Sequence, residues 1–448
     1  MAQRDLTQGP IWKALAAVSG PTSFGILAVL AIGLADAYFL GKLGEAPLAA
    51  VGFIYPVTTA ITSLAIGLSA GVSALVSQRL GEDGDSQSDA PARLAIHALI
   101  MGVALSVVMA AAFHLSSGGL FQLMGAGENA LREVLLYTPL WAVSFPFLML
   151  QMIINASFRA HGDGATSAAI MVLIALFAIG LNPILIFGWG PITSMGTEGA
   201  ALATLIGRIV GAAAALIWAW RAGVISSCAS PFRGLWQSLR EILKVGVPSA
   251  FSNAINPAGM ALVTAAVATV GEAAVAGFGA ATRVQSVVLV PLLALSAGIG
   301  PVVGQNWGAD AVSRARSAIH TSGWFCVIYG LAAATCLTLF ADPLAALFAE
   351  SGKDAHGYAV HYLAFVSWSF AGYGALVTAN AAMNARSKAA YSMGLSLARI
   401  LAVYVPGAWL GVVIFGYSGI LVAAIAANLL AILGAIWCLR RTELLESG

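Results

Sequence analysis

The sequence predicts an all-α polytopic membrane protein, with twelve transmembrane helices arranged as two pseudo-symmetric lobes of six. Three observations carry that expectation. Hydrophobic residues make up 60% of the 448 and charged ones only 9%, where a soluble domain has roughly 25% charged residues, and the mean hydropathy is +0.90. The apolar residues also come in long blocks, each sufficient for a hydrocarbon core of roughly 30 Å. Finally, the second half of the chain repeats the first. The composition excludes other classes as well. Basic residues stand singly between the apolar blocks, without a basic run or an aromatic RNA-binding motif, so no nucleic-acid partner is expected. HExxH, CxxC and Walker patterns are absent, and the spans hold no cluster of nucleophile, base or metal ligands. Neither an enzyme nor a bound metal is therefore expected.

The first span, near 14–40, stays apolar from Ser23 onward and turns polar at Lys42, yet it carries Asp36. An ionised Asp inside such a helix costs roughly 2.5 to 3.5 kcal/mol on insertion scales and normally faces an interior cavity used by ions or substrate. The alternative, that Asp36 reaches the outer interface, suits a short side chain poorly. The second span (46–79) follows Gly44 and Glu45, and the third (92–114) opens on Arg93 and His97. The fourth (130–158) holds Tyr137, Gln151 and Asn155; the fifth (165–187) holds Asn182; the sixth (198–221) holds Thr204 and Arg208. A polar stretch, 223–238, containing Ser226, Ser227, Ser230, Pro231 and Gly234, reads as a linker between an N-lobe (1–222) and a C-lobe (239–448). The C-lobe spans lie near 239–269 with Asn256, 273–305 with Arg283, 314–340 with His320, 355–384 with Asn380, 388–415 with Arg399, and 418–439. Prolines at 21, 56, 146, 248, 257, 291 and 406 predict kinks, and several spans exceed the ~20 residues a bilayer needs, so tilt or protrusion follows.

Placing the N-terminus in the cytoplasm puts most of the 21 basic residues, from Arg4 and Lys13 to Arg440 and Arg441, on inner ends, leaving Lys42, Arg132 and Lys353 outside. That asymmetry predicts two cytoplasmic termini in a bacterial inner membrane. The repeat is explicit. LSAGVSALVSQRLG from Leu68 reads against LSAGIGPVVGQNWG from Leu295, an offset of 227 that also aligns Pro21 with Pro248, Glu45 with Glu272 and Arg159 with Arg386. Six spans per copy insert with the same topology and should be related by a pseudo-two-fold along the membrane normal, as in secondary transporters.

Several stretches carry a resemblance: GKLGEAPLAAVGFIYPV from Gly41, NPILIFG at 182–188, EGAALAT at 198–204, and VGEAAVAGFGAATRVQSVVLVPLLALSAGIGPVVGQNWGA from Val270. With these the whole chain resembles the MATE (multidrug and toxic compound extrusion) exporters. The resemblance implies a two-lobed cation-coupled antiporter in which Asp36 matches the first-helix acid used for coupling and drug release. It also implies an Asn followed four residues later by an Asp in the fifth helix, where AIGLNP instead places Ala178 and Asn182. With Asn182 and Thr204 as the remaining neutral oxygens, a sodium shell is impoverished, which favours protons. The seventh helix of some members has a Glu eight residues after its proline. Here Pro248 leads to Asn256, which is closer to the DinF-like branch.

A lone intramembrane carboxylate can hold a proton or a cationic substrate but not both well, and mutual exclusion of that kind is antiport. The expected function is export of small organic cations or drugs by a monomer in the lipid bilayer, without a prosthetic cofactor, with protons or less readily Na+ as coupling ion. The alternative is a lipid-linked oligosaccharide flippase. Asp36, Asn182 and Thr204 are the candidate coupling residues. Asp36, Tyr137, Gln151, Asn155, Asn256 and Arg283 are the candidate substrate contacts. The amides have a second reading as helix-to-helix hydrogen bonds, and Tyr137 as an interfacial belt residue. Arg283, Arg208 and Arg399 read as anchors paired with a carbonyl or an acid, and His97 and His320 as interfacial residues.

Overall fold

The computed structural model describes residues 5–83, 89–225, 231–348 and 354–446. Of the expected linker, Ser226, Ser227 and Ser230 lie outside the described residues, as do Arg4 and Lys353. The first half consists of α1 (Ile11–Leu43), α2 (Glu45–Asp83), α3 (Ala90–Leu123), α4 (Glu128–Ala160), α5 (Gly164–Phe187) and α6 (Gly196–Arg221). The second half begins with α7 (Leu235–Ala268), α8 (Glu272–Val288), α9 (Val290–Gly308), α10 (Val312–Leu339) and the short α11 (Ala341–Ala346). It continues with α12 (Asp354–Val366), a 3-10 turn (Ser367–Ser369), α13 (Phe370–Ala385), α14 (Ala389–Leu397), a π-helical turn (Ala398–Tyr404), α15 (Val405–Phe415) and α16 (Tyr417–Arg441). Among the described residues, eleven runs are long and apolar enough to cross a membrane, and α8 with α9, bent by 44°, makes a twelfth if taken as one span.

Two of the seven expected proline kinks are breaks. The α8/α9 bend falls at Leu289, two residues before Pro291, and the π-helical turn ends two residues before Pro406 in the first turn of α15. A proline offers no N–H to the carbonyl four residues back and its ring crowds that carbonyl, so an extra residue is accommodated upstream. Helices α1, α2, α4 and α7 run on past Pro21, Pro56, Pro146, Pro248 and Pro257. The 3-10 turn and α11 had no sequence signal.

The repeat reappears in the backbone. Gly44 (φ 142°, ψ −178°) ends α1 and Gly271 (φ 144°, ψ 167°) precedes α8, two residues 227 apart in a region that essentially only glycine occupies. Each is followed by an exposed glutamate, Glu45 or Glu272, in the first turn of the next helix. One hydrophobic core gathers residues of α1 to α4 and α6, including Phe113, Trp141 and Phe145; another gathers residues of α7 to α16 with the start of α1.

The two halves meet along α2, α7 and α9, where small residues bring backbones into contact. A Cβ on Gly67 would strike Ala250, one on Gly81 would strike the Gln305 carbonyl oxygen, and one on Gly308 would strike the Gln78 carbonyl oxygen. Gln78 and Gln305 are themselves repeat equivalents. The Gln78 amide donates to the carbonyl of Ala385, the last residue of α13, and to Ser387 Oγ (3.2 Å). The Gln305 amide donates to the carbonyl of Ala160, the last residue of α4, at 2.6 Å. Both acceptors are terminal carbonyls that no helical N–H satisfies. Leu6 N–H donates to Gln305 Oε1 (3.0 Å), Asn306 to the Leu6 carbonyl (3.1 Å) and Arg314 to the Gly9 carbonyl (3.1 Å), while Arg79 pairs with Glu241 at 3.5 Å. Among the described residues, every such bond between the halves lies at the end that carries both termini.

Candidate functional site

Helix α1 stays apolar up to Asp36, which is half-buried. Its neighbour is α5, drawn close because Gly25 faces Ala168 and Met171 and because Gly164 meets Val18. That packing sets Asn182, fully buried ahead of Pro183, against the acid, and its Nδ2 donates to Asp36 Oδ1 at 2.6 Å. Asn182 Oδ1 has no hydrogen-bond partner. Arg208 of α6 donates to Ser144 Oγ at 2.5 Å and lies over the Trp141 ring, 5.1 Å from its centroid, a cation–π contact. The guanidinium lies within electrostatic reach of Asp36 without forming a hydrogen bond or ion pair with it. Thr204, one turn before Arg208, brings its Oγ1 beside the Tyr137 hydroxyl without a well-formed hydrogen bond. Helices α1, α4, α5 and α6 thus converge on one carboxylate and one guanidinium.

Asp36, Asn182, Thr204 and Tyr137 therefore come together as the sequence suggested. Tyr137 is buried rather than placed in an interfacial belt. Gln151 and Asn155, also buried, stand elsewhere: Gln151 follows Tyr137 by 14 residues on α4, about 21 Å of helix rise. Their side-chain oxygens have no partner. Arg208, read as an anchor, is held by Ser144 and Trp141 and also lies within electrostatic reach of Asp36. The signal was available, because Thr204 and Arg208 are four apart, and Tyr137, Trp141 and Ser144 share one face of α4. His97 was expected at the interface, but it is fully buried with Nε2 2.6 Å from the Pro231 carbonyl oxygen.

Asn256 is not near Asp36. It lies in the other half, where its Oδ1 accepts from Arg399 Nη1 at 3.0 Å. Arg399 projects from the π-helical turn and also donates through Nε (3.1 Å) and Nη2 (2.8 Å) to Asn428 Oδ1. Asn428 in turn donates to Ser369 Oγ at 2.8 Å, and the Tyr373 ring centroid is 5.4 Å from the guanidinium. Arg399, Asn256, Asn428 and Tyr373 line a cavity together with Tyr362, Tyr404 and Gln285, and the Tyr362 hydroxyl donates to Gln285 Oε1 at 2.7 Å. Arg399 is anchored as read, by carbonyl oxygens, but these belong to the side-chain amides of Asn256 and Asn428. Arg283 was also expected to find such a partner, but it is exposed and makes no hydrogen bond or ion pair among the described residues. An exposed guanidinium in mid-span favours a water-filled cleft over lipid.

Comparison with known proteins agrees with this architecture. A family model, MatE, matches residues 21–184 and again residues 248–410. The chain is 33% identical over 427 residues to a Shewanella oneidensis protein named FAD transporter, covering 95% of this chain and 93% of that one. It is 25% identical over 373 residues to the Probable multidrug resistance protein YoeA of Bacillus subtilis, covering 82% of this chain and 79% of the relative. An outward-facing structure of a multidrug resistance MATE family transporter of the MOP superfamily superposes with a TM-score of 0.92 at 26% identity, over 99% of this chain and 98% of that one.

Proposed function

The chain belongs to the MatE family of multi-pass membrane transporters, and from that premise we propose that it is an antiporter that exports organic cations or drugs, with protons exchanged at Asp36. The observation that carries this reading is the Asp36–Asn182 pair beside Arg208, a half-buried carboxylate whose partners sit on other helices. Deprotonated, Asp36 accepts from Asn182 and attracts Arg208, tying α1 to α5 and α6. Protonation cancels the attraction to Arg208 and weakens the bond from Asn182, which frees α1 to shift against them. A proton needs only the carboxylate, whereas sodium needs several oxygens. Asn182 turns its amino group toward Asp36, and Arg208 adds positive charge beside it, so the residues favour protons.

In this reading the lobes are residues 1–222 and 239–448, joined by 223–238 on the cytoplasmic side, and the protein works as a monomer in a bacterial inner membrane. Drugs and organic cations are the first cargo class, consistent with relatives named for multidrug resistance. A second class is favoured by a specific observation: the cavity around Arg399 is cationic, and a 33% identical relative is named FAD transporter. Export of FAD or a similar flavin nucleotide is therefore the second reading. A lipid-oligosaccharide flippase draws support only from Arg283. The test is efflux from proteoliposomes, comparing ethidium and FAD as cargo under proton and sodium gradients. A proton gradient should drive efflux, and substitution of Asp36 by Asn should stop it. Efflux driven by sodium at constant pH would refute proton coupling.

A further inference from the structure

The cluster at Arg399 has a chemistry opposite to that at Asp36, although corresponding helices build both. Asp36 and Asn182 join the first and fifth spans of one half; Asn256 and Arg399 join the first and fifth spans of the other. Among the described residues, no carboxylate lines the cavity around Arg399. The helices packed around Arg399 carry Glu241, Glu272 and Asp354 among the described residues, all in the first two turns of their helices, and Glu241 is paired with Arg79. A half-buried cation with only neutral partners is costly in apolar surroundings. Two of its five N–H groups also remain after the three bonds to Asn428 and Asn256.

We propose that this cavity binds a planar aromatic compound bearing an anionic group, with the guanidinium of Arg399 pairing with that group. Asn256 and Asn428 fix the plane of the guanidinium, so its free N–H groups are already aimed, and a fixed guanidinium suits phosphate or carboxylate recognition. Tyr373, half-buried beside the guanidinium, supplies a ring face at small conformational cost, while the buried Tyr362 and Tyr404 line the same cavity. The anion furnishes the counter-charge the protein omits. This assignment depends on the export reading for its purpose, but binding does not require transport, so the two can fail separately.

The test uses full-length protein in nanodiscs and two probes with the same ring system, riboflavin and riboflavin 5′-phosphate, followed by flavin fluorescence quenching. Wild type should prefer the phosphate by roughly ten- to a hundredfold, the range of a charge-assisted hydrogen-bonded pair. Arg399→Gln should erase that preference while retaining riboflavin binding, and Arg399→Lys should keep part of it. Tyr373→Leu should weaken both probes alike. Glu272→Gln, an exposed charge at the start of α8 outside the cavity, should bind the phosphate as wild type does, and efflux, which tests the export reading, is scored separately from binding. The wild-type comparison decides even if a variant fails to fold: equal affinity for the two flavins overturns the proposal. So does a preference that survives Arg399→Gln.

Discussion

Asp36 is held by an amide from one helix and faced by a guanidinium from another, and substitutions should separate these contributions. Asp36→Asn preserves size and hydrogen bonding but not charge, so the protein should insert and melt as wild type while proton-driven efflux disappears. Asp36→Glu should retain partial efflux on its longer stem. Arg208→Gln removes the facing charge and the contact with Trp141, and efflux should fall at least as far as in Asp36→Glu. Glu45→Gln and Glu272→Gln, exposed at the starts of α2 and α8, should leave efflux unchanged, since solvated charges there contribute little. Asp36 and Asn182 were legible because a carboxylate and an amide in apolar helices have few uses. Gln151 and Asn155 were misgrouped although the helix rise from Tyr137 already separates them. The partnership of Arg399 with Asn256 and Asn428 spans 143 and 29 residues and depends on how three helices are rotated, which no local pattern encodes.

Among the elements, the π-helical turn Ala398–Tyr404 sets the direction of Arg399. Pro406→Ala restores a backbone donor to the carbonyl four residues back and should let this stretch relax toward regular α-helix. That relaxation would turn Arg399 away from its amides, and the phosphate preference in the flavin titration should shrink without loss of protein yield. The glycine turns give a second check. Gly44→Ala and Gly271→Ala each force a side chain into a nearly glycine-only region, at a cost of about 1 to 3 kcal/mol, so each should lower the thermal unfolding midpoint in detergent. The spans themselves were readable because length and apolarity are properties of a single segment. The break at Leu289 and the π-helical turn were readable only as proline positions, since a sequence shows where a helix is weakened but not whether its neighbours absorb the defect.

At the scale of the whole molecule, the halves are tied at one end, with Gln78 bound to the end of α13 and Gln305 to the end of α4. Replacing both glutamines with Ala should loosen that end. Spin-label distances measured there across the halves should lengthen or broaden, and an unchanged distribution would show that the glycine seam alone holds the closure. Gly308→Leu, which drives a side chain into the Gln78 backbone, should produce the same lengthening with a larger amplitude.

The acceptors in this tie are main-chain carbonyls, which no amino-acid substitution can delete, and the two donors are exchanged by the pseudo-symmetry of the repeat. A rocking motion that respects this symmetry must release both bonds in the same stroke, so the closure behaves like a logical AND. With either glutamine gone, the surviving bond becomes a pivot and not a lock. Under the proposed proton coupling, the single variants Gln78→Ala and Gln305→Ala should therefore leak protons down a gradient in the absence of cargo.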